Sequence, residues 1–197
     1  MSSFVPPSMI LDGPDDAGGG RGFRSFKTAA PIPYPCRWHR DLLIQMTLDP
    51  SIEALERHTC GPDENFSVVA IVASTRRLVT ALRKHPGASS DALPPDRTWI
   101  LRSVVLAEPR CSTARMVWAT RRTKVSLGDR LRILQMLEDC PAGSTLAAAG
   151  KCVRSDVGDP ADAILALVCA GQVDIDIRNT LSPQTWIRRR GQGVGER

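Results

Sequence analysis

The sequence predicts an α/β chain, with a sheet-containing part followed by a helical part that ends in paired strands. A run of β-branched residues at 66–73 is typical of a buried strand covered on both faces. Residues 127–137 and 160–170 carry apolar side chains at helical spacing. Residues 173–177 then alternate strictly between apolar and polar side chains, and an extended stretch resumes at 185–187. These patterns place both classes of secondary structure in one chain.

Length and composition fit an ordinary globular protein. The chain has 197 residues, of which 42% are hydrophobic and 24% are charged. No apolar run approaches the roughly 18 residues that would cross a bilayer, so we expect no membrane segment. The first residues lack the basic and apolar regions of a secretory signal, and we therefore expect a cytoplasmic protein. No cysteine pair has C-x-x-C spacing, which predicts free thiols and no metal site or cofactor.

The order of elements divides the chain into four parts. Residues 1–35 are rich in glycine and proline and predict a disordered tail. An α/β domain is expected over 36–122, a winged-helix domain over 123–190 and a short tail over 191–197.

Within the α/β domain a helix starts near Trp38 and is interrupted at Pro50. A second short element begins at Ile52, either helical or extended. Residues 76–84 predict an amphipathic helix. Residues 99–106 predict either a strand that leads into a helical turn, which we favour, or one continuous strand. Helical structure is expected again over 115–122.

The last third predicts a winged helix because three helices precede a strand pair. Ser144 is expected to cap the second helix, over 145–152. Asp159 followed by Pro160 is a strong start signal for the third helix, and Gly171 is a natural residue to end it. Alternating strands then follow, as in the hairpin of that fold.

The distribution of charge points to nucleic acid. All but four of the 26 basic residues are arginines, whose guanidinium groups bind phosphate in a bidentate manner. Between residues 97 and 132 nine basic side chains face two acidic ones. The third helix carries no basic or amide side chain that could read base edges, so binding would be through phosphates, or the module would pack on a protein. The candidate phosphate-binding residues are Arg115, Arg121, Arg122, Lys124, Arg188, Arg189 and Arg190.

Three stretches resemble the TnsA-like transposon endonucleases. Residues 38–52 resemble the first helix of their catalytic domain and the Asp-Pro step after it. Residues 99–137, especially 108–118, look like the region between their two domains. Residues 165–188 look like the end of their C-terminal winged helix. The resemblance implies a restriction-endonuclease-like domain that holds Mg²⁺ with carboxylates from the first helix and a strand pair, with a strand lysine that positions the attacking water.

The sequence departs from that family where the chemistry is carried. His39 stands where the helix carboxylate would fall, and residues 68–72 offer neither an acid nor a lysine. Asp63, after Pro62, is a single candidate carboxylate, which cannot build the site. We therefore expect a divergent member without catalytic residues, a non-catalytic DNA-associated accessory protein of mobile-element type. The alternatives are a protein-interaction adaptor whose winged helix docks on a partner protein, and an active nuclease whose site the sequence does not reveal.

Overall fold

The computed structural model describes residues 22–58, 65–84, 97–154 and 158–191. The candidate carboxylate Asp63, residues 1–21 of the predicted tail and the tail from 192 onward lie outside these ranges. The described chain is a mixed α/β protein, as the sequence predicts.

The first part consists of a helix and a four-stranded sheet. Helix α1 spans Arg37–Leu48 and ends just before Pro50, whose ring cannot continue a helix. Strands β1 (Ile52–Arg57), β2 (Phe66–Val72) and β3 (Thr75–Leu82) form an antiparallel meander. Strand β4 (Arg97–Leu101) then adds parallel to β3, which gives the order β1-β2-β3-β4. The ambiguous element at Ile52 is thus extended.

Strand β2 is confirmed, but only one of its faces is fully covered. Val68 and Ala70 are buried, whereas Val69 and Ile71 on the other face are half-buried. Ala70 faces the same cavity as Leu42 and Met46 of α1. The expectation that both faces are covered is therefore wrong within the described residues.

The helix predicted over 76–84 is also wrong, because this stretch is strand β3. Arg, Leu and Ala favour a helix locally, but β3 pairs along its whole length with β2. The strands are joined by a two-residue turn at Ala73 and Ser74, whose φ angles are 48° and 61°. Positive φ at both central residues is the type I′ hairpin geometry, which asparagine and glycine usually signal. Asparagine and glycine are absent from these two positions, so no local signal marked the hairpin.

The connection between the two parts is helical. The strand predicted at residue 99 does lead into a helical turn, α2 (Arg102–Val105). Helix α3 spans Arg110–Ala119 and passes into a single 3-10 turn at Thr120–Arg122. The predicted helix at 115–122 is therefore longer at its start and tightens at its end.

The last part alternates helices with short strands. Helix α4 spans Leu127–Glu138, and strand β5 (Ser144–Thr145) leads into α5 (Leu146–Gly150). Helix α6 spans Pro160–Cys169, and strands β6 (Val173–Ile175) and β7 (Trp186–Arg189) follow. The three strands form a sheet in the order β5-β7-β6.

Local signals explain the helix boundaries of this part. Asp159 caps α6 by accepting a hydrogen bond from the amide of Ala161, as expected. The helix ends in a Schellman motif at Gly171, which has φ 73°. Helix α5 is capped by Thr145 and not by Ser144, because the Thr145 hydroxyl accepts from the amide of Ala148. The predicted cap is thus displaced by one residue.

Residues 22–35, which we call the N-terminal strap, are packed and not disordered. Phe23 and Ile32 are buried and bridge to one another, and the Phe23 ring stacks on Trp118 at 5.1 Å. Phe26 lies against the backbone of Gly171. The tail prediction is wrong for this segment because tertiary contacts, which composition does not report, bury its scattered aromatic and apolar side chains.

The hydrophobic core is continuous across the boundary expected at residue 122. Every residue of α6 from Ala163 to Cys169 is buried, and the helix packs against α3, α5 and the 3-10 turn. Among the described helices, the longest have 12 residues, and none combines the length and apolar character that a membrane crossing requires.

Candidate nucleic-acid interface

Arg115, the first of the candidate phosphate-binding residues, holds two helices together. Its guanidinium donates from Nε to Asp41 Oδ1 at 2.9 Å and from Nη2 to Asp41 Oδ2 at 2.6 Å. The Asp41 side chain is only 6% exposed, so the pair joins the interior of α1 to α3. Hydrogen bonding to Asp41 raises the pKa of Arg115 above its ordinary value. The Arg115 side chain stays 54% exposed, but its charge is balanced by Asp41.

The three arginines at the end of β7 face acidic side chains. Arg188 lies opposite Asp174 in the β6–β7 pairing, with 3.6 Å between the charged groups, and Arg190 lies 3.8 Å from the same carboxylate. Arg189 pairs with Glu138 of α4. The guanidinium of Arg190 also stacks over the Phe26 ring of the strap at 4.6 Å. These contacts neutralise much of the positive charge at the end of strand β7.

The remaining candidates lie together on the surface between α3 and α4. Arg121 and Arg122 belong to the 3-10 turn, and Lys124 follows in the loop; all three are exposed. Arg121 donates to the carbonyl of Trp118 and lies over its ring at 5.8 Å. No ion pair among the described residues includes Arg122 or Lys124. We call these three residues, Arg121, Arg122 and Lys124, the basic segment.

Asp129 is the one acidic residue between positions 119 and 137, and it does not face outward. It is fully buried and accepts hydrogen bonds from Ser126 Oγ, the guanidinium of Arg132 and the amide of Arg154. Ser126 in turn caps α4 by accepting from the amide of Asp129. The carboxylate is thus occupied internally, and the outer surface of the segment keeps its positive charge.

His39 lies buried in the first turn of α1. Its ring lies 4.6 Å from that of Phe66 on β2, and its Nδ1 lies 3.1 Å from Cys36 Sγ. Burial, assisted by the nearby Arg83, lowers the pKa of His39 to about 4. Strands β2 and β3 contain no acidic residue. Across the described ranges no three His, Cys, Asp or Glu side chains come together in a way that could hold a metal ion.

Two cavities flank the end of α1. One of about 660 Å³ lies between α1 and the sheet, and a second of about 490 Å³ lies between the end of α1 and strands β6 and β7. Arg110 lines both, and its buried Nε has no hydrogen-bond partner among the described residues. The sequence showed Arg110 only as one more basic residue, and no spacing signal marks it.

Lys27 is a further residue that sequence reasoning missed. It lies in the strap, is 4% exposed and donates to the carbonyls of Met46 (3.2 Å) and Asp49 at the end of α1. Burial and the charge of Arg190 lower the pKa of Lys27 to about 7, against the opposing effect of Asp49 and Asp174. A neutral amine has two N–H donors, which match these two carbonyls.

No protein-family model, curated protein or solved structure matches this chain.

Proposed function

We propose that this chain is a non-catalytic, DNA-associated accessory protein that binds the phosphate backbone through the basic segment. The observation that carries the proposal is the exposure of Arg122 and Lys124 without an acidic partner in the described structure. Side chains of this kind release counterions from DNA when they bind phosphate, which makes affinity depend steeply on salt.

The order of elements in the last part supports a winged-helix module. A helix, a short strand, two further helices and a strand pair follow one another, and the first strand joins the pair in one sheet. In DNA-binding modules of the helix-turn-helix class the recognition helix enters the major groove. Here α6 is enclosed by α3, α5 and the 3-10 turn. We therefore propose contacts to phosphates without base reading.

The first part supports a nuclease-like domain whose cleavage chemistry is lost. Helix α1 is followed by strand pair β1–β2 and a mixed sheet, as the resemblance to TnsA-like endonucleases implies. The carboxylate of Asp41 on α1 is bound by Arg115, and His39 packs on Phe66. Phosphodiester hydrolysis with Mg²⁺ needs several carboxylates to hold the ion, and the described residues bring no such group together.

Charge reversal tests the binding surface. The variant with Arg122→Glu and Lys124→Glu should bind a DNA duplex at least tenfold more weakly at low salt. The slope of log affinity against log salt should fall by about 2, one for each lost phosphate contact. As a matched control, Arg188→Glu and Arg189→Glu should have a smaller effect, because these two arginines already face acidic residues. Equal losses in the two variants would contradict the assignment to the basic segment.

Cleavage is tested separately with plasmid DNA and Mg²⁺ or Mn²⁺. We expect no nicking. Metal-dependent cuts that disappear on Asp63→Ala would show an active nuclease instead.

A protein-interaction adaptor is the second candidate. The neutralised arginines of β7 and the enclosed α6 favour it, because both remove contacts that a DNA-binding winged helix ordinarily makes. Absence of DNA binding together with a salt-insensitive complex with a protein would select this function.

A further inference from the structure

Helix α4 exposes leucines on the side that faces away from the core. Leu127 is 70% exposed and Leu131 is 59% exposed, and Leu134 is half-buried beside them. Residues four and three apart lie on one face of a helix, so these leucines form a single stripe. The opposite face buries Asp129, Ile133 and Leu137. Two exposed leucines on adjacent turns form an apolar surface of the kind that helices bury against one another.

The two ends of this helix carry opposite charges. Lys124 precedes its N-terminus, and exposed Arg130 lies in its second turn. Asp139 follows the helix at its C-terminal end and is exposed, whereas Glu138 before it is paired with Arg189. If a second α4 helix packs antiparallel to the first, its acidic C-terminal end lies beside the basic N-terminal end of the first helix. The same contact recurs at the other end of the pair. The helix dipoles would also oppose each other favourably.

We propose that the leucine stripe of α4 is the contact surface for a second copy of this chain, packed antiparallel about a two-fold axis. Leu131 of each copy then packs on Leu134 of the other. Leu127 packs near the C-terminal end of α4 in the other copy. Arg130 lies within reach of Asp139 of the second copy, and the same pairing recurs at the other end. A surface that is complementary to itself in this way is what a two-fold interface requires.

The dimer goes beyond the proposed function and does not depend on it. It would bring two basic segments to one assembly, because residues 121–124 directly precede α4 in each copy. Leucine stripes can also accept a helix from a different protein. The complementary charges at the two ends of the same helix favour a second copy instead.

Sedimentation over a concentration series tests the proposal with the full chain. We expect a reversible dimer with a dissociation constant below roughly 100 μM. The variant with Leu127→Gln and Leu131→Gln should raise the dimer dissociation constant at least tenfold. Met116→Gln is the matched control, because Met116 is 51% exposed on α3 and outside the stripe. It should leave the dissociation constant unchanged.

Charge exchange distinguishes this geometry from other dimers. Arg130→Glu alone and Asp139→Arg alone should each weaken the dimer, because each creates like charges across the interface. The double variant should restore most of the lost dimer affinity. Circular dichroism and thermal unfolding establish that each variant is folded. A folded wild-type chain that stays monomeric, a control that weakens as much as the leucine variant, or a double variant without recovery would overturn the proposal.

Discussion

The guanidinium of Arg115 binds both carboxylate oxygens of Asp41, at 2.9 and 2.6 Å, and thereby ties α3 to the buried side of α1. Asp41 is buried and lies two residues after His39 on α1. Its charge is balanced by the Arg115 guanidinium. Arg115, which the sequence predicts to bind phosphate, therefore stabilises the fold through its contact with Asp41.

Removing that guanidinium should destabilise the protein. Arg115→Ala leaves the buried Asp41 carboxylate without its partner, and we expect the free energy of unfolding to fall by about 2 kcal/mol. Urea denaturation at neutral pH measures this change. Arg122→Ala, at an exposed site, should change stability by less than about 0.5 kcal/mol. Equal effects would show that the pair contributes no more than an ordinary surface residue.

The buried Lys27 predicts stability that rises with pH. Its pKa is about 7 in the fold and 10.5 ordinarily, so between these values the unfolded chain binds more protons than the folded one. The free energy of unfolding should therefore increase from pH 7 to pH 9. Urea midpoints at pH 7, 8 and 9 measure the slope. Lys27→Met removes the titrating group, and parallel curves for the two proteins would contradict the prediction.

The buried His39 predicts that the stability of the fold decreases at acidic pH. Its pKa is lowered from 6.5 to about 4, so the unfolded chain takes up a proton between these values while the folded chain does not. Stability should fall as the pH drops from 6.5 toward 4. The NMR shift of the His39 ring proton should titrate with a midpoint near 4. A midpoint at or above 6 would show that the ring is not desolvated by its contact with Phe66.

Replacing the buried Asp129 should destabilise the protein more than replacing the exposed Asp139 just after the same helix. Asp129→Ala removes the acceptor for Ser126, Arg132 and the amide of Arg154, and should cost about 2–3 kcal/mol. Asp139→Ala, one residue beyond the helix, should cost less than about 0.5 kcal/mol. Chemical denaturation at low protein concentration compares the two. A ratio near one would mean that the buried network is not stabilising.

Much of the fold could be predicted because strong local signals marked its elements. Helix α1, strand β2, helix α4 and the capped helix α6 follow directly from periodicity, Pro50, Asp159 and Gly171. Strand β3 could not, because its pairing with β2 overrides local helix propensity through a turn that lacks glycine. The packing of the strap could not be predicted either, because single aromatic residues among prolines form no helical or strand periodicity.

The candidate site was harder to predict than the fold. Charge runs are visible in a sequence, but their partners are not. Glu138 lies 51 residues from Arg189, and Asp41 lies 74 from Arg115. Of the seven candidates, Arg115, Arg121, Arg122 and Lys124 are exposed, and no ion pair among the described residues includes Arg122 or Lys124. Whether they bind DNA is the prediction that the charge-reversal experiment addresses.

The strap also constrains the order in which the molecule can be assembled. Phe26 rests on Gly171 and beneath Arg190, residues that leave the ribosome long after it does. Contacts between such distant positions form late, since the intervening chain must first be made and brought together. During synthesis Phe26 therefore cannot complete its packing until strand β7 and Arg190 have emerged.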